Sequence, residues 1–206
     1  MYKRYALPRL IDWACSQPEE MLQREKVIPL ARGRVLEIGI GSGMNLPFYD
    51  GSKVEHLTAL DPLERLWDMK KTMLSSLNFE VVYIKGSAER IPFENDTFHT
   101  VVSTSTLCSI KDIREALREM HRVLKPYGNL LFSEHGAAPD PSTAHLQNLL
   151  NPVWKRIAGG CNLNRSIPAL LKEAGFTNDG MSEGYQEGWR PASYHYWGSA
   201  RKTSDF

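Results

Sequence analysis

The stretch Val35-Leu-Glu37-Ile-Gly39-Ile-Gly41-Ser-Gly43 decides how this chain is read. Its beginning, Arg34 to Gly39, is a short and mostly apolar run, as expected of a strand buried on both faces. A glycine turn follows directly, where the missing Cβ lets the backbone bend sharply and approach a ligand. A second apolar run, His56-Leu-Thr-Ala-Leu60, ends at Asp61, 22 positions past Gly39. An acidic side chain at that place can accept two hydrogen bonds from a ribose diol. Strand, glycine turn, strand and acid together point to an adenosine cofactor.

The same alternation continues outward. Phe79-Glu-Val-Val-Tyr-Ile84, Thr100-Val-Val-Ser103 and Asn129-Leu-Leu-Phe-Ser133 read as strands. Residues 62–77, opening with Pro62 after Asp61, and residues 111–124, ending before Pro126 and Gly128, carry apolar positions at helical spacing. Strand, helix, strand in succession requires right-handed crossovers and a mainly parallel sheet, so the fold class is α/β, doubly wound, with helices on both faces. A single domain over residues 1–206 is expected. Its parts are an N-terminal helical extension (1–33, with Pro18 and Pro29 as breaks), a cofactor-binding core (34–135), an insertion (136–162) and a C-terminal helix with strands (163–206). The insertion holds one amphipathic stretch, Leu146 to Ile157. Ligands of doubly wound sheets sit beyond the carboxyl ends of the strands, so the added segments are placed to cover a substrate.

Composition narrows the partners. Over 206 residues, 25 Lys+Arg balance 24 Asp+Glu to a net charge of +1, which does not supply the cationic surface that binds nucleic acid. A small-molecule acceptor is expected instead. Cys15, Cys108 and Cys161 are an odd set with no CxxC pair, which predicts neither a disulfide framework nor a metal site, and suits a reducing, cytoplasmic location. No run of 18 apolar residues is present, and the apolar stretch at the N-terminus is cut by Pro8, Arg9 and Asp12. Lys3, Arg4 and Arg9 beside Tyr2, Tyr5 and Leu7 would give at most weak peripheral contact with anionic lipid.

Which adenosine cofactor is settled by the third glycine. Read from Gly39 and Gly41, the dinucleotide fingerprint puts Met44 where a small residue must pack against the strand, and Pro47 leaves little helix for a pyrophosphate. The pattern Glu37-x-Gly39-x-Gly41-x-Gly43 instead resembles motif I of the seven-stranded, class I S-adenosylmethionine-dependent methyltransferases. Ala59-Leu-Asp61-Pro62 resembles their ribose-binding loop, and Gly86-Ser-Ala88-Glu-Arg-Ile-Pro92-Phe their adenine loop. Phe98-His-Thr-Val-Val-Ser103 is similar to their fourth strand, and Ala116 to Pro126 to the helix and turn before the fifth. Ser87 stands where many relatives have Asp, and Tyr127 where the turn usually has its first glycine. Further on, Thr106-Leu-Cys108-Ser-Ile, Phe132-Ser-Glu134-His135, Asn151-Pro-Val-Trp154, Gly160-Cys-Asn162-Leu-Asn-Arg165 and Trp189-Arg-Pro191 resemble the methyltransferase-like proteins that methylate alkyl thiols. Quinone-precursor and phospholipid methyltransferases share the motifs of the first 130 residues.

The resemblance implies S-adenosylmethionine as cofactor and a small, fairly apolar acceptor. It places Gly39, Gly41 and Gly43 along the methionine end, with Glu37 ordering the turn or the amino group. Asp61 and Pro62 would hold the ribose, Ser87 and Ala88 the adenine, and Ser103 and Thr104 would lie under the sulfonium. His135, ending the fifth strand, is a candidate to take a proton from a thiol, or else makes a structural hydrogen bond. Cys108 reads as a core thiol, and Arg165 either as an anion ligand or as an ion-pair partner. Trp13, Trp154, Trp189 and Trp197 fall largely outside the parallel core, where they suit an apolar acceptor or plain packing.

Overall fold

The computed structural model describes residues 6–68, 74 and 77–203. Lys3, Arg4 and the tyrosines beside them lie outside the described residues, as do 69–73, 75 and 76 of the helix expected over 62–77.

Five strands are parallel: β1 (Gly33–Ile38), β2 (Val54–Asp61), β3 (Glu80–Lys85), β4 (Phe98–Thr104) and β5 (Leu124–His135). β8 (Tyr194–Lys202) runs antiparallel to β5, and both β6 (Phe176–Asn178) and β7 (Ser182–Tyr185) run antiparallel to β8. The order is β3-β2-β1-β4-β5-β8-β6, with β7 also on β8. The chain therefore builds outward from β1 to β3, then returns to lay β4 on the other side of β1. Where the two directions part, no connection covers the carboxyl ends of β1 and β4, and a crevice is left open.

The expected seven-stranded sheet has an eighth strand because one edge position is filled in two pieces. Between β6 and β7, Asp179–Met181 leaves the ladder, and Gly198 of β8 comes so close to Gly180 that a Cβ there would lie 2.3 Å from its carbonyl oxygen. The Ser199 hydroxyl donates to the Asp179 carbonyl (2.8 Å), and the Met181 N–H donates to the Asn178 side chain (2.8 Å), so side chains bridge the break on both sides of Gly180.

Apolar residues on the two faces of the sheet explain the layers. On one face Phe98, Phe132 and Leu130 pack with α4 (Ile113–Val123) and α6 (Ile167–Glu173). α4 presents Ile113, Ala116, Leu117, Met120 and Val123 at spacings of three and four, and Asp112 caps it by accepting from the Glu115 N–H (3.1 Å). On the other face Leu57, Val102 and Leu131 meet Val27 and Ile28 around the end of α2 (Pro18–Val27) and Trp67 of α3 (Glu64–Asp68), which stacks on Tyr83 with centroids 5.4 Å apart. Pro18, expected as a break, is the first residue of α2, where its missing N–H costs nothing.

α1 (Leu7–Cys15) covers the carboxyl edge with Ile11, Asp12 and Cys15 at the crevice, whereas the expected covering role of the insertion is not seen in α5 (Pro141–Ile157), none of whose residues lines the crevice. α5 starts five residues before the amphipathic stretch, because Asp140 caps it through the Thr143 N–H (3.0 Å) and Pro141 suits the first turn. Fully buried Gln147 locks it down, accepting from the Ala138 N–H and donating to the carbonyls of Gly136 and Pro191, each at 2.9 Å. No helix among the described residues is long and apolar enough to cross a membrane.

The close approach at the strand break is testable. Gly198 and Gly188 both have left-handed φ (+136 and +127), but a Cβ on Gly188 meets nothing within 4 Å. Urea unfolding should find Gly198→Ala less stable than Gly188→Ala by about 1–3 kcal/mol. Equal costs would mean that contact with Gly180 is not what demands glycine.

Candidate active site

The crevice is a cavity of about 330 Å³ lined from β1 and its turn by Glu37, Gly39 and Gly41, from β2 by Asp61 and Pro62, and from the loop after β3 by Gly86, Ser87 and Ala88. Thr104 to Thr106 and Ser109 form the wall beyond β4, while Ile11, Asp12, Cys15 and Arg24 of α1 and α2 close the near side. The Ser42 hydroxyl donates to Asp12 (2.5 Å), which ties α1 to the glycine turn.

Each glycine has its own reason. Gly39 sits at φ +71, its N–H bonds the Leu60 carbonyl (2.7 Å), and a Cβ would strike Thr106 at 2.4 Å. Gly41, at φ +56, has nothing closer than 3.9 Å to its Cβ position, which leaves backbone open toward the cavity. Gly43 does not line the cavity. A side chain there would meet Leu46 at 2.7 Å, so its role is to let the following turn pack.

Asp61 fastens the two walls. Its Oδ2 accepts from the Gly41 N–H (2.9 Å) and its Oδ1 from the Leu63 N–H (2.7 Å). A carboxylate has about four acceptor sites, so two remain for a ligand. Burial raises its pKa above the usual range, and the two N–H bonds only partly offset this. Beneath it lies Glu37, almost wholly buried, accepting from the Asn45 amide (2.8 Å) and the Tyr49 hydroxyl (2.7 Å). Arg24 reaches in from α2 to donate to Thr104 Oγ1 (3.0 Å), Asn45 Oδ1 (3.4 Å) and the Cys15 carbonyl (3.2 Å). Arg24, Asn45 and Tyr49 carry no sequence signal as site residues, since each is a lone polar residue in a helix or turn whose burial only the fold reveals.

Ser87 and Ala88 line the cavity as expected, and the Ser87 hydroxyl donates to Glu89. Thr104 lines it too. Ser103 does not: fully buried, it donates to Glu134 Oε1 (2.9 Å). That oxygen also takes the N–H groups of Thr106 (2.9 Å) and Leu107 (3.0 Å), so Ser103 and Glu134 shape the wall from behind.

His135 also lies outside the cavity lining. Its Nε2 is 3.1 Å from Cys161 Sγ, which takes the Trp154 indole N–H as well (3.2 Å), and Cys108 stands beside them. Burial opposes charge on His135, but the neighbouring Cys108 sulfur outweighs it and lifts the imidazole to about 9. The Cys108 thiol is held well below its ordinary value, chiefly by hydrogen bonding from Cys161 and by the charge of His135. Arg165 spends its guanidinium on the carbonyls of Leu107 and Ile110, clamping the wall segment instead of facing the cavity.

A crevice at the β1/β4 switch point, a glycine turn with backbone open to it and an acid at the end of β2 define an adenosine-cofactor site, and the space fits such a group. The family described as "Methyltransferase domain" matches residues 36–132. Thiol S-methyltransferase TMT1B of Homo sapiens is 33% identical over 195 residues, covering 91% of this chain and 79% of the relative. The Bacillus halodurans C-125 protein BH2331 superposes with a TM-score of 0.71 at 18% identity, over 90% of this chain and 99% of that one. The N-methyltransferase NodS from Bradyrhizobium japonicum WM9 does so with a TM-score of 0.67 at 15% identity, over 91% and 98%. The chain belongs to the class I S-adenosylmethionine-dependent methyltransferases. It is an enzyme, with S-adenosylmethionine as its cofactor.

Two buried carboxyls make stability depend on pH. Burial pushes Glu37 and Glu134 from an ordinary 4.5 to about 7. The native state thus binds protons more tightly than the unfolded chain, so this stability is complete below pH 4.5 and lost as pH rises through 7. Between pH 5 and 8 the unfolding free energy should fall, by on the order of 3 kcal/mol for each group. In Glu37→Gln the slope should flatten, and an unchanged slope in urea unfolding would remove Glu37 as its source.

Proposed function

We propose that this methyltransferase transfers the methyl group of S-adenosylmethionine to the sulfur of a small, fairly apolar alkyl thiol. The observation that carries the reading is the reach of the resemblance. The methyltransferase-domain match covers residues 36–132, which all such enzymes share in kind, whereas the likeness to human TMT1B spans 91% of the chain, well beyond that core.

The cofactor brings an activated methyl on sulfonium sulfur; the protein has to hold, orient and exclude water. Asp61 and Pro62 would hold the ribose, Ser87 and Ala88 the adenine, and Gly39 with Gly41 the methionine end. Glu37 keeps the turn in shape through Asn45 and Tyr49, with Thr104 facing the reacting end. α1 limits water from the open side, with Ile11, Asp12 and Cys15 at the lining. His135 is not given the role of base here, because its Nε2 faces Cys161 and not the cavity.

In calorimetry Asp61→Ala should weaken S-adenosylhomocysteine binding at least about tenfold, equivalent to 1.4 kcal/mol. Unchanged binding would remove the ribose assignment. In a labelled-methyl assay an alkyl thiol should yield the methyl thioether, while quinol and phospholipid acceptors should not. Methylation of a quinol or phospholipid alone would overturn the thiol reading and leave the methyltransferase assignment intact.

A further inference from the structure

The fold draws two of the three cysteines and a histidine to one point. Cys108 follows β4, His135 ends β5 and Cys161 follows α5, yet one donor atom of each lies within 4.8 Å of the other two. A tetrahedral zinc ion, with bonds of about 2.0–2.1 Å to nitrogen and 2.3 Å to sulfur, sets its donor atoms roughly 3.3–3.8 Å apart. His135 Nε2 and Cys161 Sγ, 3.1 Å apart, need to separate by only about 0.4 Å to take a nitrogen–sulfur edge of that tetrahedron. Two thiolates and an imidazole are a donor set for zinc-class cations, not for calcium or magnesium.

The surroundings hold these donors in place. Trp154 donates its indole N–H to Cys161 Sγ (3.2 Å), and the Ser109 hydroxyl is 3.3 Å from Cys108 Sγ. Such bonds to sulfur orient and stabilise ligating thiolates. Asn162, next to Cys161, grips the Cys108 carbonyl with both its backbone N–H (2.9 Å) and its side-chain amide (2.8 Å). Two ligand segments 53 positions apart in the chain are thereby fixed against each other without help from an ion.

We propose that Cys108, His135 and Cys161 bind one divalent cation of the zinc class. Three protein donors leave a fourth tetrahedral position, as zinc sites that perform chemistry do. The cluster stands directly behind the cavity wall, since Ser109 lines the cavity and the Ser105 carbonyl, also of the wall, is 3.8 Å from Cys108 Sγ.

The test is cobalt titration of the reduced, metal-stripped full chain. One equivalent of Co²⁺ should produce thiolate-to-metal absorption, retained in Cys15→Ser and lost in Cys108→Ser and Cys161→Ser. S-adenosylhomocysteine binding by the serine variants would show that they remain folded. No such absorption in the unaltered chain, its survival in Cys161→Ser, or a Cys108–Cys161 disulfide persisting under reductant would overturn the site.

Discussion

The buried carboxyl of Glu37 is the contact on which the site depends. It ends the central strand at the point where the sheet changes direction, deep enough that leaving its oxygens unpaired would cost several kcal/mol. Asn45 and Tyr49 satisfy it, which fixes the course of the chain after the glycine turn. Arg24 adds the neutralising charge and, through Thr104, joins the N-terminal helices to β4. One buried acid thus sets the positions of the turn, the cover and the wall opposite.

A second acid repeats the device on the other side. Glu134 of β5 gathers Ser103, Thr106 and Leu107 onto one oxygen, so the wall after β4 is held by a side chain that never faces the cavity. Asp61 differs from both in that its two protein hydrogen bonds come from backbone N–H groups, with acceptor capacity to spare at the surface of the crevice. Burial brings the buried pair up to about 7 against the opposing pull of the hydrogen bonds they accept, and the chain accepts that loss of stability where the site needs shape.

The added segments have the opposite character. α1 is tied to the turn through Asp12, and α5 is docked by Gln147, polar anchors in segments with exposed apolar residues such as Trp13 and Leu149. The cluster of Cys108, His135 and Cys161 sits where those segments meet the wall.

The sequence by itself determined the strand and helix alternation, the doubly wound class and the class of cofactor. These depend on local signals: apolar runs of strand length, a glycine turn and an acid at a fixed distance along the chain. It also marked His135, Ser103 and Gly43, but could not tell which face of a strand or turn meets the cavity, and the structure puts all three behind its lining. The tertiary structure alone decided the parts made by residues distant in the chain. Arg24 meets Asn45 and Thr104, and Cys161 meets Cys108 and His135, only because right-handed crossovers stack their segments at one edge of the sheet. An odd cysteine count therefore signals nothing until the fold has set two thiols beside an imidazole.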